Sequence, residues 1–164
     1  MRTIKHTISY TEFDSAAELD STDRKLLEAA TEAAANAYAP YSGFSVGAAL
    51  LLESGTIVRG ANVENAAFPS GICAERSAIA AAVSNYPGDK PRIIAIAAFT
   101  GDGMTAEPVT PCGNCRQVIG EEEIKSQNRI RIILGGKNKV ILIEGIDNLL
   151  PLQFSKNNLS INLP

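Results

Sequence analysis

Three cysteines and one glutamate form the pattern in this chain with the clearest chemical meaning. Cys73 precedes Glu75 by two residues, and Cys112 and Cys115 lie three residues apart in the segment Pro-Cys-Gly-Asn-Cys. The 164-residue sequence contains no other cysteine. Three thiolates can hold one zinc ion and leave its fourth position open, which is the ligand count of a catalytic site rather than a structural one. The spacing therefore predicts one catalytic Zn²⁺ per chain, bound by these three cysteines.

Glu75 stands where a catalytic site of this kind needs a proton carrier. Its carboxyl group can take protons from an attacking water, one to pass to a ring nitrogen and later one to a leaving amine. Pro111 suits the start of a helix, and residues three apart on a helix share a face, so Cys112 and Cys115 can point at one metal. We expect Cys73 to open a second helix. All three thiolates would then lie near helix N-termini, where partial positive charge lowers the pKa of a thiol.

The charge of such a site calls for compensation. Three thiolates on one Zn²⁺ carry a net negative charge. Arg76 and Arg116 directly follow the motif residues. We expect one or both to donate hydrogen bonds to the cysteine sulfurs.

Each part of the motif also has a simpler interpretation. A Cys-x-x-Cys pair alone occurs in redox proteins, a lone buried cysteine commonly serves packing, and a glutamate near a helix start often only interacts with the helix dipole. A structural zinc would need a fourth protein ligand, and His6, the single histidine, lies far from the motif. Taken together, the two segments favour a catalytic zinc over a redox pair or a structural zinc.

Length and composition narrow the possible functions. A chain of 164 residues, 45% of them apolar, suits one globular domain. It has no apolar run long enough for a membrane span and no N-terminal pattern typical of a signal peptide. Three cysteines make a poor disulfide framework and suit a reducing compartment, so we expect a cytoplasmic protein. The net charge of −3, with scattered Lys and Arg, favours a small ligand over nucleic acid.

The elements that must position the motif alternate between helix and strand. Hydrophobic periodicity predicts helices at 21–39, 73–84 and 112–122 and strands at 44–52, 56–63, 92–99, 129–134 and 140–144. We also expect a loose strand within 4–10 and a helical turn at 146–150. Ser21 is the predicted N-cap of the first helix, and Pro40 its stop. This order predicts an α/β fold, a three-layer α-β-α structure with a mixed five-stranded sheet.

Beyond the metal motif, four further segments are distinctive: Y-S-G-F-S-V-G-A-A at 41–49, N-V-E-N-A at 62–66, F-P-S-G-I-C-A-E-R at 68–76 and L-L-P-L-Q-F at 149–154. With these segments, the chain resembles the small cytidine deaminases of pyrimidine salvage. The resemblance runs from about residue 22 to Phe154. It implies a cytidine-deaminase-like fold and the hydrolytic deamination of cytidine and 2′-deoxycytidine to uridine and 2′-deoxyuridine, with release of ammonia.

The resemblance also implies roles for individual residues. Phe44 would pack against the pyrimidine ring, and Asn62 and Glu64 would hydrogen-bond the ribose hydroxyls. An amide and a carboxylate two residues apart on a strand face one side and can share a diol. Ala74, through its backbone, and Glu75 would read the base. Without the resemblance, the asparagine and glutamate would be interpreted as a turn residue and a solvated charge.

The same resemblance implies an assembly and a domain plan. The family forms homotetramers, in which Phe154 is expected to reach the site of a neighbouring subunit. On this basis we expect an N-terminal extension at 1–20, a cytidine deaminase domain at 21–154 and a C-terminal tail at 155–164. From the sequence alone, Phe154 would be an ordinary core aromatic.

Other functions remain open from the sequence. A relative could act on a modified cytosine nucleoside such as an antibiotic, although the N-V-E-N-A segment favours ordinary ribose recognition. Deaminases of RNA or DNA bases usually have His as first ligand and a basic surface, and this chain has neither. A binding module with a structural zinc or a redox pair is the alternative outside enzymology, and zinc content with a count of free thiols would distinguish it.

Overall fold

A mixed β-sheet with helices on both faces is the framework of residues 1–159, the part of the chain that this computed structural model describes. Within those residues the sheet has seven strands: β1 (Thr11–Phe13), β2 (Ser45–Leu52), β3 (Ile57–Ala61), β4 (Pro91–Thr100), β5 (Gly103–Met104), β6 (Arg131–Gly135) and β7 (Val140–Glu144). The helices are α1 (Ser21–Ala34), α2 (Ala74–Asn85) and α3 (Gly113–Ser126). Residues 160–164 of the predicted tail lie outside the described residues.

The predicted α/β class and layer arrangement are confirmed. The strands lie in the order β1-β7-β6-β4-β2-β3, with β5 paired to the end of β4. Only β4 and β6 pair in parallel among the described strands, and the other pairs are antiparallel. Apolar residues of α1 form a core with one face of the sheet, and those of α2 and α3 form a second core with the other face. The result is a three-layer α-β-α domain.

Two short strands add to the five that we predicted. β1 pairs antiparallel with β7 at the sheet edge, and it lies at 11–13 rather than within 4–10. β5 has two residues and forms a hairpin with the end of β4. Segments of two or three residues are too short to show the alternation by which a strand is predicted. The structure places the first of them inside the segment that we expected to be an N-terminal extension.

The predicted N-cap of α1 and its predicted C-terminal end are wrong. Its N-cap is Asp20 and not Ser21, because the Asp20 carboxylate accepts the backbone N–H groups of Thr22 and Asp23 at 2.8 and 2.9 Å. The helix ends at Ala34 and not at 39, although the apolar periodicity continues. Beyond it, the backbone N–H of Tyr38 donates to the carbonyl of residue 62, so a partner from another element ends the helix before Pro40 does.

Two crossover helices bring the motif residues to one place. β3 and β4 both run antiparallel to their common neighbour β2, so α2 connects two strands that point the same way. α3 connects β4 to β6, which pair in parallel. Both helices cover the same face of the sheet. In folds of this kind ligands bind beyond the carboxyl ends of the strands, where such helices begin.

Gly60 of β3 allows α2 to lie directly on the sheet. A Cβ at this position would lie 2.5 Å from the carbonyl oxygen of Ala74 and still closer to the backbone nitrogen of Ala78. Both contacts are backbone atoms of the first turns of α2, so no side chain can rotate away. This close packing fixes the distance between the sheet and the first turns of α2, and therefore the position of the motif residues at the start of that helix.

We predict that Gly60→Ala destabilises the protein by about 1–3 kcal/mol, the usual range for an overpacked core. For a chain of this size that lowers the melting temperature by roughly 2–12 °C. Thermal unfolding followed by circular dichroism measures the change. Gly101→Ala is the matched control, since no described atom lies within 4 Å of a Cβ there. Equal melting temperatures for the two variants would show that the contact with α2 is not tight.

Candidate active site

The three cysteines lie at the N-termini of two helices that cover the same face of the sheet. Cys73 is the N-cap of α2, as predicted, and Cys112 is the N-cap of α3. Cys115 lies in the first turn of α3 and is buried. In the described structure neither N-cap sulfur makes a capping hydrogen bond to its own helix. Both are therefore available to a third group placed between the helices.

The distances between the sulfur atoms fit one tetrahedral metal ion. The Sγ atoms of Cys73 and Cys112 are 3.7 Å apart, and those of Cys112 and Cys115 are 3.5 Å apart. All three lie within 4.8 Å of one another. Zn–S bonds of about 2.3 Å in a tetrahedron place sulfurs roughly 3.8 Å apart. The residues present therefore suit one zinc ion per chain.

The electrostatics of the sulfurs also call for a cation. Burial raises the pKa of the Cys73 and Cys115 thiols, and the negative charge of Glu75 raises that of Cys115 further. Burial acts in the same direction at Cys112, but the nearby backbone N–H groups of Cys115 and Asn114 and the two neighbouring thiols bring its pKa below the ordinary value. Three anionic sulfurs in this space need a positive ion, and a divalent metal supplies it.

Glu75 is a buried carboxyl group beside these sulfurs. It lies in the first turn of α2, and only 5% of the residue is exposed. Burial raises its pKa, while hydrogen bonds and the positive charge of Arg76 act against the shift. The carboxyl group lines the same cavity as Cys73 and Cys112. A carboxyl group in this position can accept a proton from a bound molecule and pass it on.

A cavity of about 630 Å³ opens above the sulfurs and Glu75, a size that suits a small ligand. It is lined by most of the predicted site residues: Phe44, Asn62, Glu64, Cys73, Ala74, Glu75 and Cys112. Phe154 does not line it among the described residues, and its ring is exposed. The structure thus brings the predicted base-reading and sugar-reading residues together with the metal ligands, and leaves Phe154 outside the cavity of its own chain.

Asn62 and Glu64 bind the loop that carries Phe44. The Asn62 side chain accepts the Val46 N–H at 2.7 Å and donates to the Phe44 carbonyl at 2.9 Å. The Glu64 carboxylate accepts the Ser42 hydroxyl at 2.5 Å and the Tyr41 N–H at 2.8 Å. These bonds, that of the Ser42 hydroxyl first, lower the pKa of Glu64. Sequence reasoning missed these partners, because the pattern at 62–66 gives no sign of which loop it faces.

Arg116 has oxygen acceptors, not the sulfurs that we had predicted as its partners. It donates to the carbonyls of Pro111 and Leu149 at 2.8 and 2.9 Å, and to the Thr110 hydroxyl at 3.1 Å. These bonds hold the loop that carries Cys112 against the segment after β7. Arg76 follows Glu75 on α2, is half-buried, and acts on that carboxyl group through its charge.

An aromatic pair at the edge of the cavity also escaped the sequence analysis. The rings of Tyr41 and Phe68 meet edge to face, with centroids 5.8 Å apart. Both residues line the cavity and both are more than half exposed. Phe68 belongs to the Phe-Pro pair that precedes the first ligand, which was the one available signal in the sequence.

Among residues 1–159, no helix has both the length and the hydropathy needed to cross a bilayer.

Comparisons with known proteins agree on one family. The family profile described as "Cytidine and deoxycytidylate deaminase zinc-binding region" matches residues 20–128. A cytidine deaminase of Sporosarcina psychrophila is 43% identical over 136 residues, which cover 83% of this chain and 93% of that protein. A cytidine deaminase of Halalkalibacterium halodurans is 47% identical over 100 residues, or 60% and 71% of the two chains. The crystal structure of a Burkholderia pseudomallei cytidine deaminase superposes with a TM-score of 0.68 at 38% identity, covering 79% of this chain and 97% of that one.

We predict that Cys115→Ala lowers the zinc content of the purified protein from about one ion per chain to well under half, because two thiolates remain of the three. Elemental analysis by mass spectrometry measures the content. Asn114→Ala is the matched control, since it changes an exposed residue between two ligands, and it should keep the full content. Full zinc in a folded Cys115→Ala protein would remove Cys115 from the ligand set.

Proposed function

This chain belongs to the cytidine and deoxycytidylate deaminase family, and on that premise we propose that it deaminates cytidine and 2′-deoxycytidine by hydrolysis. The products are uridine or 2′-deoxyuridine and ammonia. The observation that carries the proposal is the position of Glu75, buried beside three cysteine sulfurs in a nucleoside-sized cavity. This arrangement supplies a proton carrier at a zinc site with an open position. We place the reaction in the salvage of pyrimidine nucleosides.

The chemistry divides between the metal and Glu75. Zinc, when held by the three cysteines, supplies the Lewis acidity that makes water a nucleophile near neutral pH. A carboxylate oxygen of Glu75 takes one proton from the water whose oxygen bonds to C4 of the cytosine ring. Glu75 then delivers that proton to ring N3, takes the second proton from the new C4 hydroxyl and passes it to the amine, so that the bond from C4 to nitrogen breaks, ammonia leaves and a C4 carbonyl remains.

The walls of the cavity hold the nucleoside. Phe44 packs against the pyrimidine ring. Ala74 is the first residue of α2 and fully buried, and its N–H is among the helix N–H groups that have no partner within the helix, so it can bind the base. Asn62 and Glu64 bind the sugar hydroxyls through hydrogen-bonding groups that their contacts to the loop leave free. The Asn62 amide has one N–H left to donate, and the Glu64 carboxylate has about four acceptor positions, not all of them used by the loop.

Two arginines support the metal site in different ways. Arg76 donates to the cysteine sulfurs and offsets their charge. Arg116 fixes the loop from Thr110 to Cys112 through its bonds to oxygen atoms. The first of these roles is our prediction from the sequence, and the second follows from the contacts.

The active form is a homotetramer with sites that neighbouring subunits share. In support, Phe154 is exposed and outside the cavity of its own chain, and Gln117 donates to its backbone carbonyl at 2.8 Å. We assign residues 21–154 to the catalytic domain, 1–20 to an extension and 155–164 to a tail. Three free thiols at a metal site need a reducing compartment, which favours the cytoplasm.

Incubating the purified zinc-loaded protein with cytidine tests the proposed reaction. We expect uridine and ammonia in equal amounts, measured by chromatography and an ammonia assay, and the same outcome with 2′-deoxycytidine. A zinc-loaded protein that produced no uridine would contradict the proposal and direct attention to modified cytosine nucleosides.

Glu75→Gln should keep the zinc and the fold but reduce kcat by about 10²–10⁴-fold, since it removes proton transfer alone. Turnover of cytidine, zinc content and the melting temperature are measured together. Glu121→Gln, an exposed glutamate on α3, is the matched control and should keep full activity. Near-normal turnover by the Glu75→Gln enzyme would show that another group carries the proton.

Mixing two impaired variants tests the shared site. Phe154→Ala should lower kcat/KM for cytidine by at least about tenfold through loss of a buried aromatic contact. When Phe154→Ala and Glu75→Gln subunits are unfolded together and refolded, some sites combine an intact Glu75 with an intact Phe154. We expect the mixture to exceed the summed activities of the two variants refolded separately. Activities that merely add would show that Phe154 does not act across subunits.

A further inference from the structure

At the end of the β2–β3 strand pair, the side chain of Asn62 makes hydrogen bonds that a backbone peptide group would otherwise make. The last registered pair of this ladder is Gly47 with Ala61. At the next position the Asn62 N–H still donates to the Val46 carbonyl at 3.1 Å, but the Asn62 carbonyl turns away and accepts the N–H of Tyr38 at 3.0 Å. The strand is therefore diverted to a different partner one residue after β3 ends.

The amide of the Asn62 side chain supplies the donor and acceptor that the diverted backbone would have given. Its Oδ1 accepts the Val46 N–H at 2.7 Å, and its Nδ2 donates to the Phe44 carbonyl at 2.9 Å. A primary amide carries both functions in nearly the geometry of a peptide group. An aliphatic side chain offers neither function, and an ionised carboxylate accepts but cannot donate. Without the amide, two backbone groups at the edge of the cavity would lose their partners, which is unfavourable wherever such a group is left buried.

Phe44 depends on these bonds because little else holds its backbone. It lies just before β2 begins at Ser45, and it follows Gly43, whose φ of 65° marks a sharp turn. The Phe44 N–H donates to the Ser42 hydroxyl at 3.0 Å. The Phe44 carbonyl is held by Asn62. The ring that lines the cavity is thus carried by a residue outside the regular ladder, with one side-chain partner on each side.

We propose that Asn62 is a positioning residue for Phe44, in addition to any contact with the sugar. Its amide keeps the Phe44 backbone at the cavity wall, so that the ring is in place before a ligand arrives. This inference rests on the proposed function only for the statement that the Phe44 ring receives the pyrimidine. It requires that Asn62 matters for ligands that have no sugar.

Fluorescence tests the positioning role without reference to activity. The chain contains no tryptophan, so Phe44→Trp introduces a single reporter at the cavity wall. In this background, Asn62→Ala should raise the acrylamide quenching constant about twofold, because the released loop exposes the indole. Asn148→Ala is the matched control, since the Asn148 amide likewise bridges two backbone groups, the Ser9 N–H and the Glu144 carbonyl, away from the cavity. It should leave quenching unchanged. Unchanged quenching in the Asn62→Ala protein would overturn the proposal.

A ligand without a sugar supplies the second measurement. The inhibition constant of 1-methylcytosine against cytidine turnover should rise about five- to tenfold in Asn62→Ala, and this rise should vanish when Phe44→Ala is present. If Asn62→Ala raised only the KM of cytidine and left the inhibition constant of 1-methylcytosine unchanged, Asn62 would contact the sugar without positioning Phe44, and the proposal would be overturned. If the Asn62→Ala protein does not fold, Asn62→Asp replaces it in both measurements. The aspartate keeps the oxygen that accepts the Val46 N–H, but its second oxygen cannot donate to the Phe44 carbonyl. A protein that makes no uridine fails the proposed function, while the quenching result still decides the role of Asn62.

Discussion

Bringing three sulfur atoms to within bonding distance of one ion is the constraint on which the rest of this structure depends. Cys73 and Cys112 are 39 residues apart in sequence, yet their sulfurs lie 3.7 Å apart. This happens because α2 and α3 are both crossover helices on one face of the sheet and both start at the same end of it. Because Gly60 has no side chain, α2 can pack directly against the sheet, and this contact fixes the distance between them. Since each cysteine opens a helix or lies in its first turn, backbone N–H groups contribute to stabilising the anionic sulfurs.

The residues around the metal site are bound to one another before any ligand is present. Arg116 ties the loop that carries Cys112 to the segment after β7, and Asn62 and Glu64 tie down the loop that carries Phe44. These contacts order both walls of the cavity in advance. A nucleoside then loses less binding free energy to loop ordering, which is the general benefit of preorganised sites.

The sequence predicts the parts of this site that depend on residues close together in the chain, and misses those that depend on contacts between distant residues. The ligands, Glu75, the five longer strands and the helix starts at Cys73 and Cys112 follow from spacing and periodicity within short segments. The end of α1 does not, because a long-range bond from Tyr38 to the carbonyl of residue 62 overrides a helical pattern that continues past Ala34. One acceptor of Arg116, the Leu149 carbonyl, escaped prediction for the same reason, since it lies 33 residues away in sequence. The resemblance to a family supplied roles for Asn62 and Glu64, but not the loop contacts that this fold gives them.

X-ray absorption spectroscopy at the zinc edge tests the central claim, a zinc held by three thiolates with one open position beside Glu75. The account predicts three sulfur neighbours at about 2.3 Å and one oxygen or nitrogen neighbour at about 2.0–2.2 Å. Addition of a nucleoside inhibitor should change the light-atom neighbour and leave the three sulfurs unchanged. A shell of four sulfurs, or a zinc bound without sulfur, would contradict the account, because neither leaves an open three-thiolate site for Glu75 to serve.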